Sequence, residues 1–417
     1  MSSDVFRVFV GVPGNTLFAR LKDRRLRVYP TGYNGELEPD LVVFPSSIPA
    51  RFDPEALALP PSVAARLRAG QCRVAFDASL EGTPHSEALT GLFHGALRRL
   101  GVTPGQAIYI TQDRGYEADY GRYCQAAGLG PPMTVLVYDY WIRRFFTYAP
   151  EEGEALFHSR LDAFRRRSAE RARRFVSLNW SPRPHKILFL LRLLRDGLWS
   201  EGHISFGGFE QLRRTKNKSL LQVQKKIRTT EGFEDLAATL LPFMPTLDAF
   251  GEISLDDTGG DGATGQVPDK FTGDTGISAF ETSWFSVVTE TEMLARPCRI
   301  TEKPFRALVN FHPIVVLGNP GALRLIRELG FESFGGLFDE SYDDEPDPRA
   351  RFERVYDEVA RLCRMDEAEL ARRVSSLSDQ LVFNAQWGLT KLPDVFRNTI
   401  DRDLVTRVID GGRARPR

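Results

Sequence analysis

Short apolar, β-rich runs alternate with longer helical stretches through the first third of this chain, and the alternation starts again near residue 175. The early runs are residues 5–12, 41–44 (stopped by Pro45), 73–76, 107–111 and 134–138. Between them, residues 86–100 carry Leu89, Leu92, Phe93, Ala96 and Leu97 near helical spacing, and residues 117–127 form a shorter helical stretch. A parallel pair of strands needs a long crossover, usually a helix, so this alternation predicts a parallel sheet covered by helices. Ligands of such a sheet belong at the C-terminal ends of its strands.

Residues 151–174 read as a bridging helix dense in arginine: Arg160, Arg165, Arg166, Arg167, Arg171, Arg173 and Arg174. Strands are expected again at 175–178, 202–206, 283–288 and 314–317, with a helix over 185–196. Residues 259–276 are rich in Gly, Asp and Thr without apolar period, which reads as a surface loop. Residues 366–381 read as helical, opened by Asp366 with Glu369 three positions on. The fold class is therefore α/β, with two Rossmann-like domains facing a cleft. The expected divisions are 1–150, the bridge 151–174, 175–380, and a helical tail 381–417.

Composition narrows the function classes. Lys+Arg and Asp+Glu number 55 each, so no global charge favours nucleic acid or a membrane surface. The first residues lack a basic stretch followed by a long apolar one, and no apolar run approaches the ~20 residues that span a bilayer. The four cysteines (Cys72, Cys124, Cys298, Cys363) have no metal-ligand spacing and read as reduced, mostly buried thiols of a cytoplasmic protein. No metal site is expected.

Thr301-Glu302-Lys303 opens an apolar segment that runs into the strand 313–317 and then Gly318-Asn319-Pro320-Gly321. A carboxylate beside an ammonium at a helix start can serve two parts of a nucleotide. The carboxylate accepts ribose hydroxyls, while the ammonium and the free N–H groups meet a diphosphate. The same triplet is also what a capping Thr301 with a first-turn Glu looks like.

The wider pattern carries a resemblance. Phe285-Ser-Val-Val-Thr-Glu290-Thr, Ile300-Thr301-Glu302-Lys303, Ala307-Leu308 and His312-Pro313-Ile-Val-Val-Leu-Gly318 resemble, in order and spacing, the donor-site signature of α1,3-fucosyltransferases. That signature is a Phe/Glu/Asn/Ser strand, a Thr-Glu-Lys helix start and a Val-Pro-(Val/Ile)-Val strand ending in Gly. The match spans about 35 of 417 residues, and is shared with bacterial and phage glycosyltransferase-like proteins. The resemblance implies a two-domain GT-B glycosyltransferase in which Glu302 holds the donor ribose and Lys303 a diphosphate oxygen. Glu290 aligns with the acidic residue of the preceding strand. This chain departs from the signature at Thr291-Glu292, where the family has Asn-Ser, and at an insert over 293–299.

Two further constellations stand where strands give way to helices. Ser177-Leu-Asn179-Trp-Ser-Pro-Arg183-Pro-His185-Lys186 places Asn179, Arg183 and His185 where they can grip phosphate or a sugar ring. It resembles the Asn-Arg-x-x-Arg-x-His-Arg segment that begins the C-terminal domain of fucosyltransferase-like families; a Pro-rich turn with a capping Asn explains it as well. Asp77-Ala-Ser-Leu-Glu81-Gly82-Thr-Pro-His85 follows the strand 73–76. A sugar transfer with inversion needs one general base, and Glu81, Asp77 and His85 are the candidates in that order, with Asp139 behind them. A helix cap with loop carboxylates is the alternative.

The basic run 213–228 lacks the aromatic interleaving of nucleic-acid binders. The acidic cluster 339–345 lacks calcium-loop spacing, leaving contact with the donor sugar as its candidate role. The sequence therefore predicts transfer of a sugar from a nucleotide sugar to an acceptor hydroxyl on a glycan, lipid-linked or peptide acceptor. The transfer is expected to be inverting and to need neither cofactor nor metal, its leaving phosphate stabilised by Lys303, Arg183 and helix N-termini. The alternative is a nucleotide- or glycan-binding protein without turnover.

Overall fold

The computed structural model describes residues 5–14, 16–33, 37–46, 59–147, 153–167, 171–210, 219–255, 277–296 and 298–412. The expected loop at 259–276 and the first part of the basic run, 213–218, lie outside the described residues. The chain divides into two compact units, Met1–Arg143 with Asp394–Arg417, and Arg144–Pro393.

Unit 1 is built on a six-stranded, fully parallel sheet ordered β2-β1-β3-β4-β5-β6. The strands are β1 (Phe6–Val10), β2 (Leu26–Tyr29), β3 (Leu41–Pro45), β4 (Arg73–Asp77), β5 (Ala107–Thr111) and β6 (Thr134–Val137). Successive residues face opposite sides, as the two-residue period of a strand requires. Val42, Phe44, Val74, Phe76 and Tyr109 enter one core with Leu89, Phe93 and Leu97 of the helix Glu87–Leu100. Leu41, Val43, Ala75, Ile108 and Ile110 enter the other with Leu404, Val405 and Val408 of the C-terminal helix Asp401–Gly412. That helix is fixed by a buried polar contact: Asp401 accepts from Tyr138 Oη at 2.5 Å and from Arg143 Nε at 2.9 Å.

Unit 2 has a four-stranded parallel sheet ordered β10-β9-β7-β8, made of β7 (Arg173–Asn179), β8 (Gly202–Phe206), β9 (Ser283–Thr289) and β10 (Ile314–Leu317). The first four strands of each unit therefore share one order: second, first, third, fourth. Chain direction across the sheet reverses beside the first strand, which in unit 2 lies between β7 and β9. In open α/β sheets the ligand crevice lies at such a switch point, beyond the carboxyl ends of the strands.

Several elements differ from the sequence expectation, among them the unexpected helices Pro61–Arg68, Tyr140–Thr147 and Pro348–Arg364. β2 was not foreseen: it is a four-residue edge strand with no buried residue, so apolar patterning is weak there. The bridging helix is Gly153–Arg165, and Arg173 and Arg174 already belong to β7. Of its arginines and those following, Arg165, Arg166 and Arg173 are exposed, whereas three others are engaged. Arg160 donates to Val309 O, Arg167 to Asn310 O at 2.8 Å and Arg171 to Glu281 O. The first two thus reach carbonyls at the C-terminal end of the helix Lys303–Leu308, where cations are favoured. The tail helix is two helices, Glu367–Ser375 and Ser378–Gln386, the first capped by Asp366 accepting from Glu369 N. No helix among the described residues is long and apolar enough to cross a membrane.

Candidate functional site

At the carboxyl edge of unit 2 the backbone ladder between β7 and β9 runs from Arg173–Ser283 to Val176–Ser286. Beyond it, side chains take over. Ser177 Oγ donates to Val287 O at 3.0 Å, and Thr289 Oγ1 donates to Asn179 Oδ1 at 2.7 Å. Asn179 also donates to Ser177 Oγ and is 1% exposed, so it is part of the frame. His185 lies in the first turn of the helix Pro184–Arg195, and its Nε2–H donates to Glu290 O at 2.9 Å. Burial, helped by the neighbouring Lys186, pushes the His185 pKa down to about 3, so the ring is neutral at ordinary pH.

Glu290 is likewise engaged. Its carboxylate accepts from Thr301 N at 3.0 Å, Thr301 Oγ1 at 2.7 Å and Thr291 N at 3.2 Å. Thr301 is therefore tied back to β9, and the helix N-cap falls on Glu302, with Lys303 and Pro304 opening the helix. Proline suits that first turn because its missing N–H would have no intrahelical partner. Gly318 closes over the same carboxylate: a Cβ there would meet Glu290 Cβ at 2.9 Å.

Three polar side chains of the set reach the surface of this frame. Glu302 and Lys303 have side chains 22% and 31% exposed, with Lys303 Nζ 3.5 Å from Glu302 Oε1. Lys303 Nζ also donates to Thr301 Oγ1 at 2.8 Å and Thr291 Oγ1 at 3.3 Å. Burial works to raise the Glu302 pKa, but Lys303 and Arg306 beside it hold the carboxyl below its ordinary range. Arg183, the N-cap of the helix Pro184–Arg195, is half-buried.

Below them lies a residue that sequence reasoning did not assign. Lys186 is 3% exposed, and its Nζ donates to Thr289 O at 2.8 Å. Burial first, then the nearby Lys303, pushes its pKa down to about 7; Arg183 acts in the same direction, and Glu290 and Glu302 oppose it. Its position three residues after Arg183, in the same first helical turn, was the available signal. The edge thus gathers Lys186, Lys303, Arg183 and a helix N-terminus against two carboxylates, one of which is consumed by Thr301. An anion is the ligand that such a set favours.

The loops around this edge are held by Arg351 of the helix Pro348–Arg364. Its buried guanidinium donates to Gly318 O at 2.8 Å, Leu294 O at 2.5 Å, Pro346 O at 3.3 Å and Glu345 O. Within the acidic cluster, Asp343 caps the helix Ala322–Glu328, accepting from Leu323 N at 3.0 Å and Arg324 N at 3.1 Å. Asp339 accepts from Ser341 N at 3.0 Å, and Glu340 from Phe334 N at 2.6 Å. These carboxylates serve the local backbone.

In unit 1 the three candidate bases fare differently. Asp77, 2% exposed, accepts from Leu17 N at 2.6 Å, Thr16 Oγ1 at 2.7 Å and Ser79 N at 3.2 Å. It anchors the loop after β1. His85 Nε2 lies 2.8 Å from Thr90 Oγ1, and the ring packs against Tyr116, Tyr120 and Tyr123. Glu81 is half-buried on the loop after β4, at the carboxyl edge of the sheet. Asp139 forms a two-pronged ion pair with Arg114 at 2.9 and 2.6 Å. Beside Glu81, the Gln112 amide is fully buried; its Oε1 makes no hydrogen bond among the described residues, an arrangement that costs about 1–3 kcal/mol. All four cysteines are buried, and none is in a disulfide.

No protein-family model and no curated protein sequence matches this chain. Among solved structures, it is similar to the α,α-trehalose 6-phosphate synthase of Burkholderia multivorans. Identity there is 14%, over 91% of this chain and 74% of that one, with a TM-score of 0.39. It is also similar to the UDP-forming α,α-trehalose-phosphate synthase of Burkholderia vietnamiensis, at 14% identity over 89% and 72% of the two chains, with a TM-score of 0.41. At those values the likeness assigns no residue or substrate to this chain.

Proposed function

We propose that this chain is a glycosyltransferase that moves a sugar from a nucleotide-sugar donor to an acceptor hydroxyl. The observation that carries the reading is the convergence of Lys186, Lys303 and Arg183 with Glu302 at the switch point of the unit 2 sheet. In this reading Glu302 accepts the ribose hydroxyls, and Lys303 and Arg183 bind the diphosphate. The N-terminus of the helix Pro184–Arg195 adds its N–H groups. Positive charge placed where the leaving phosphate develops negative charge is a preorganised form of catalysis, and it assigns no task to a metal. In this reading Glu81, half-buried on the loop after β4 at the carboxyl edge of the unit 1 sheet, is the general base that takes the proton of the attacking hydroxyl. Attack from the face opposite the leaving group inverts the anomeric centre. The resemblance of residues 285–318 to α1,3-fucosyltransferases supports the nucleotide site; the sugar and the acceptor class follow from the donor screen and its product.

The test is a thermal-shift screen of GDP-, UDP-, TDP- and CMP-sugars against wild type and Glu302→Ala. A ligand at 100 times its dissociation constant stabilises by ~2.7 kcal/mol, which is visible as a raised midpoint. Stabilisation by one nucleotide class, lost in Glu302→Ala, supports the reading. A folded wild type that responds to none of them removes it.

A further inference from the structure

Three successive carbonyls of the loop after β4 each accept a hydrogen bond from outside the loop. Ser79 O accepts from Gln112 Nε2 at 2.7 Å, Leu80 O from Trp141 Nε1 at 2.9 Å, and Glu81 O from Gln112 N at 3.3 Å. The donors come from the end of β5 and from the helix Tyr140–Thr147. We propose that Gln112 and Trp141 are positioning residues that hold Glu81 in place for proton abstraction, an inference that rests on the assignment of Glu81 as general base.

A strand-to-helix loop commonly leaves its carbonyls to water and keeps some freedom. Here the opposite holds. Ala78 N donates to Ile110 O at 2.9 Å and Ser79 N to Asp77 Oδ1 at 3.2 Å, so the entry to the loop is fixed as well. Gln112 is a costly way to achieve packing alone. Only its NH2 group can face Ser79 O, which leaves Oε1 buried with no partner among the described residues, whereas an apolar side chain would remove that orphan and leave Ser79 O without its donor. Local rules broken in this manner concentrate at functional positions. Trp141 has a single N–H and directs it to the neighbouring carbonyl. A general base must lie within hydrogen-bond reach of the proton it removes, and fixing its backbone from two elements achieves that.

The experiment uses the full chain with Gln112→Met, which nearly keeps volume, and Trp141→Phe, which keeps an aromatic ring but is smaller; each removes one side-chain hydrogen bond to the loop. Each is also combined with Glu81→Gln. Hydrogen–deuterium exchange of residues 78–85, nucleotide-induced thermal shift and kcat are measured. We expect faster exchange of the loop, an unchanged nucleotide shift, and a fall in kcat of roughly 10- to 100-fold, the scale of a 1 Å misplacement. On the Glu81→Gln background the same changes should add almost nothing, since residues acting as one unit are not additive. Unchanged kcat in a turning-over wild-type background, or full additivity with Glu81→Gln, overturns the proposal while leaving the functional reading intact. A wild type that binds nucleotide and transfers no sugar fails the functional reading first, and the proposal with it.

Discussion

Thr289 donates its hydroxyl to the Asn179 side-chain carbonyl at 2.7 Å, joining β9 to β7 where their backbone ladder has ended. The bond sits under Lys186, whose ammonium takes the backbone carbonyl of the same Thr289. A single residue thus ties the switch point together and supports the cation below the proposed diphosphate site.

Removing one partner leaves the other buried and unsatisfied. Thr289→Val should destabilise the protein by about 1–3 kcal/mol, read as a lower urea midpoint with unchanged slope. Asn179→Ala should cost at least as much, because Asn179 also donates to Ser177. An effect of Thr289→Val under a few tenths of a kcal/mol, the level of a surface change, would sink the account.

Lys186 gives the site a pH dependence. Its folded pKa, near 7, lies below its ordinary value of 10.5. Between those values the unfolded chain binds the extra proton, so this group's penalty on folding is complete below pH 7 and fades as pH rises toward 10.5. An anion prefers the protonated ammonium, so nucleotide affinity should move the other way and fall as pH rises through about 7. Calorimetric titration of the nucleoside diphosphate from pH 6 to 9 reads this directly. Lys186→Met should flatten the profile, and an identical slope in that variant would remove Lys186 as its source.

Asp77 and Glu81 should separate stability from catalysis. Asp77→Ala strands Leu17 N and the Thr16 hydroxyl in a buried site. It should destabilise by roughly 2–4 kcal/mol, as loss of a charged, buried acceptor does. Glu81→Gln, which keeps the side chain's shape, should slow transfer by roughly 10²- to 10⁴-fold. Equal transfer rates in wild type and Glu81→Gln would return the search for the base to the beginning.

The C-terminal helix depends on Asp401. Asp401→Ala leaves Arg143 without its carboxylate in a buried position, where breaking one partner of an ion pair costs about 3–5 kcal/mol. Faster amide exchange along Asp401–Gly412 than in the wild type is the expected signature. Protection equal to wild type would show that Leu404, Val405 and Val408 hold the helix alone.

Much of the architecture was legible in the residues. The strands Ala107–Thr111 and Gly202–Phe206 have the bounds that their apolar patterns suggested, and Ser86 caps the helix expected over 86–100. Such features depend on neighbours within a few positions, through side-chain period and capping preference. The edge strand Leu26–Tyr29 and the division of the arginine-rich stretch were not legible, because partners distant in sequence settle both. The division of labour among polar residues is of the same kind. In Asn179-Trp-Ser-Pro-Arg183-Pro-His185-Lys186, sequence alone could not tell frame from surface. Asn179 and His185 turned inward because Thr289 and Glu290, more than a hundred residues later, offered them partners. Asp77 and Glu81 lie four residues apart, yet Asp77 is committed because the loop after β1, sixty residues earlier, brings two donors to it. A local pattern specifies which element a residue occupies. Which hydrogen bonds consume it depends on the packing of elements far apart in the chain, because a buried polar group takes whatever partner the fold delivers.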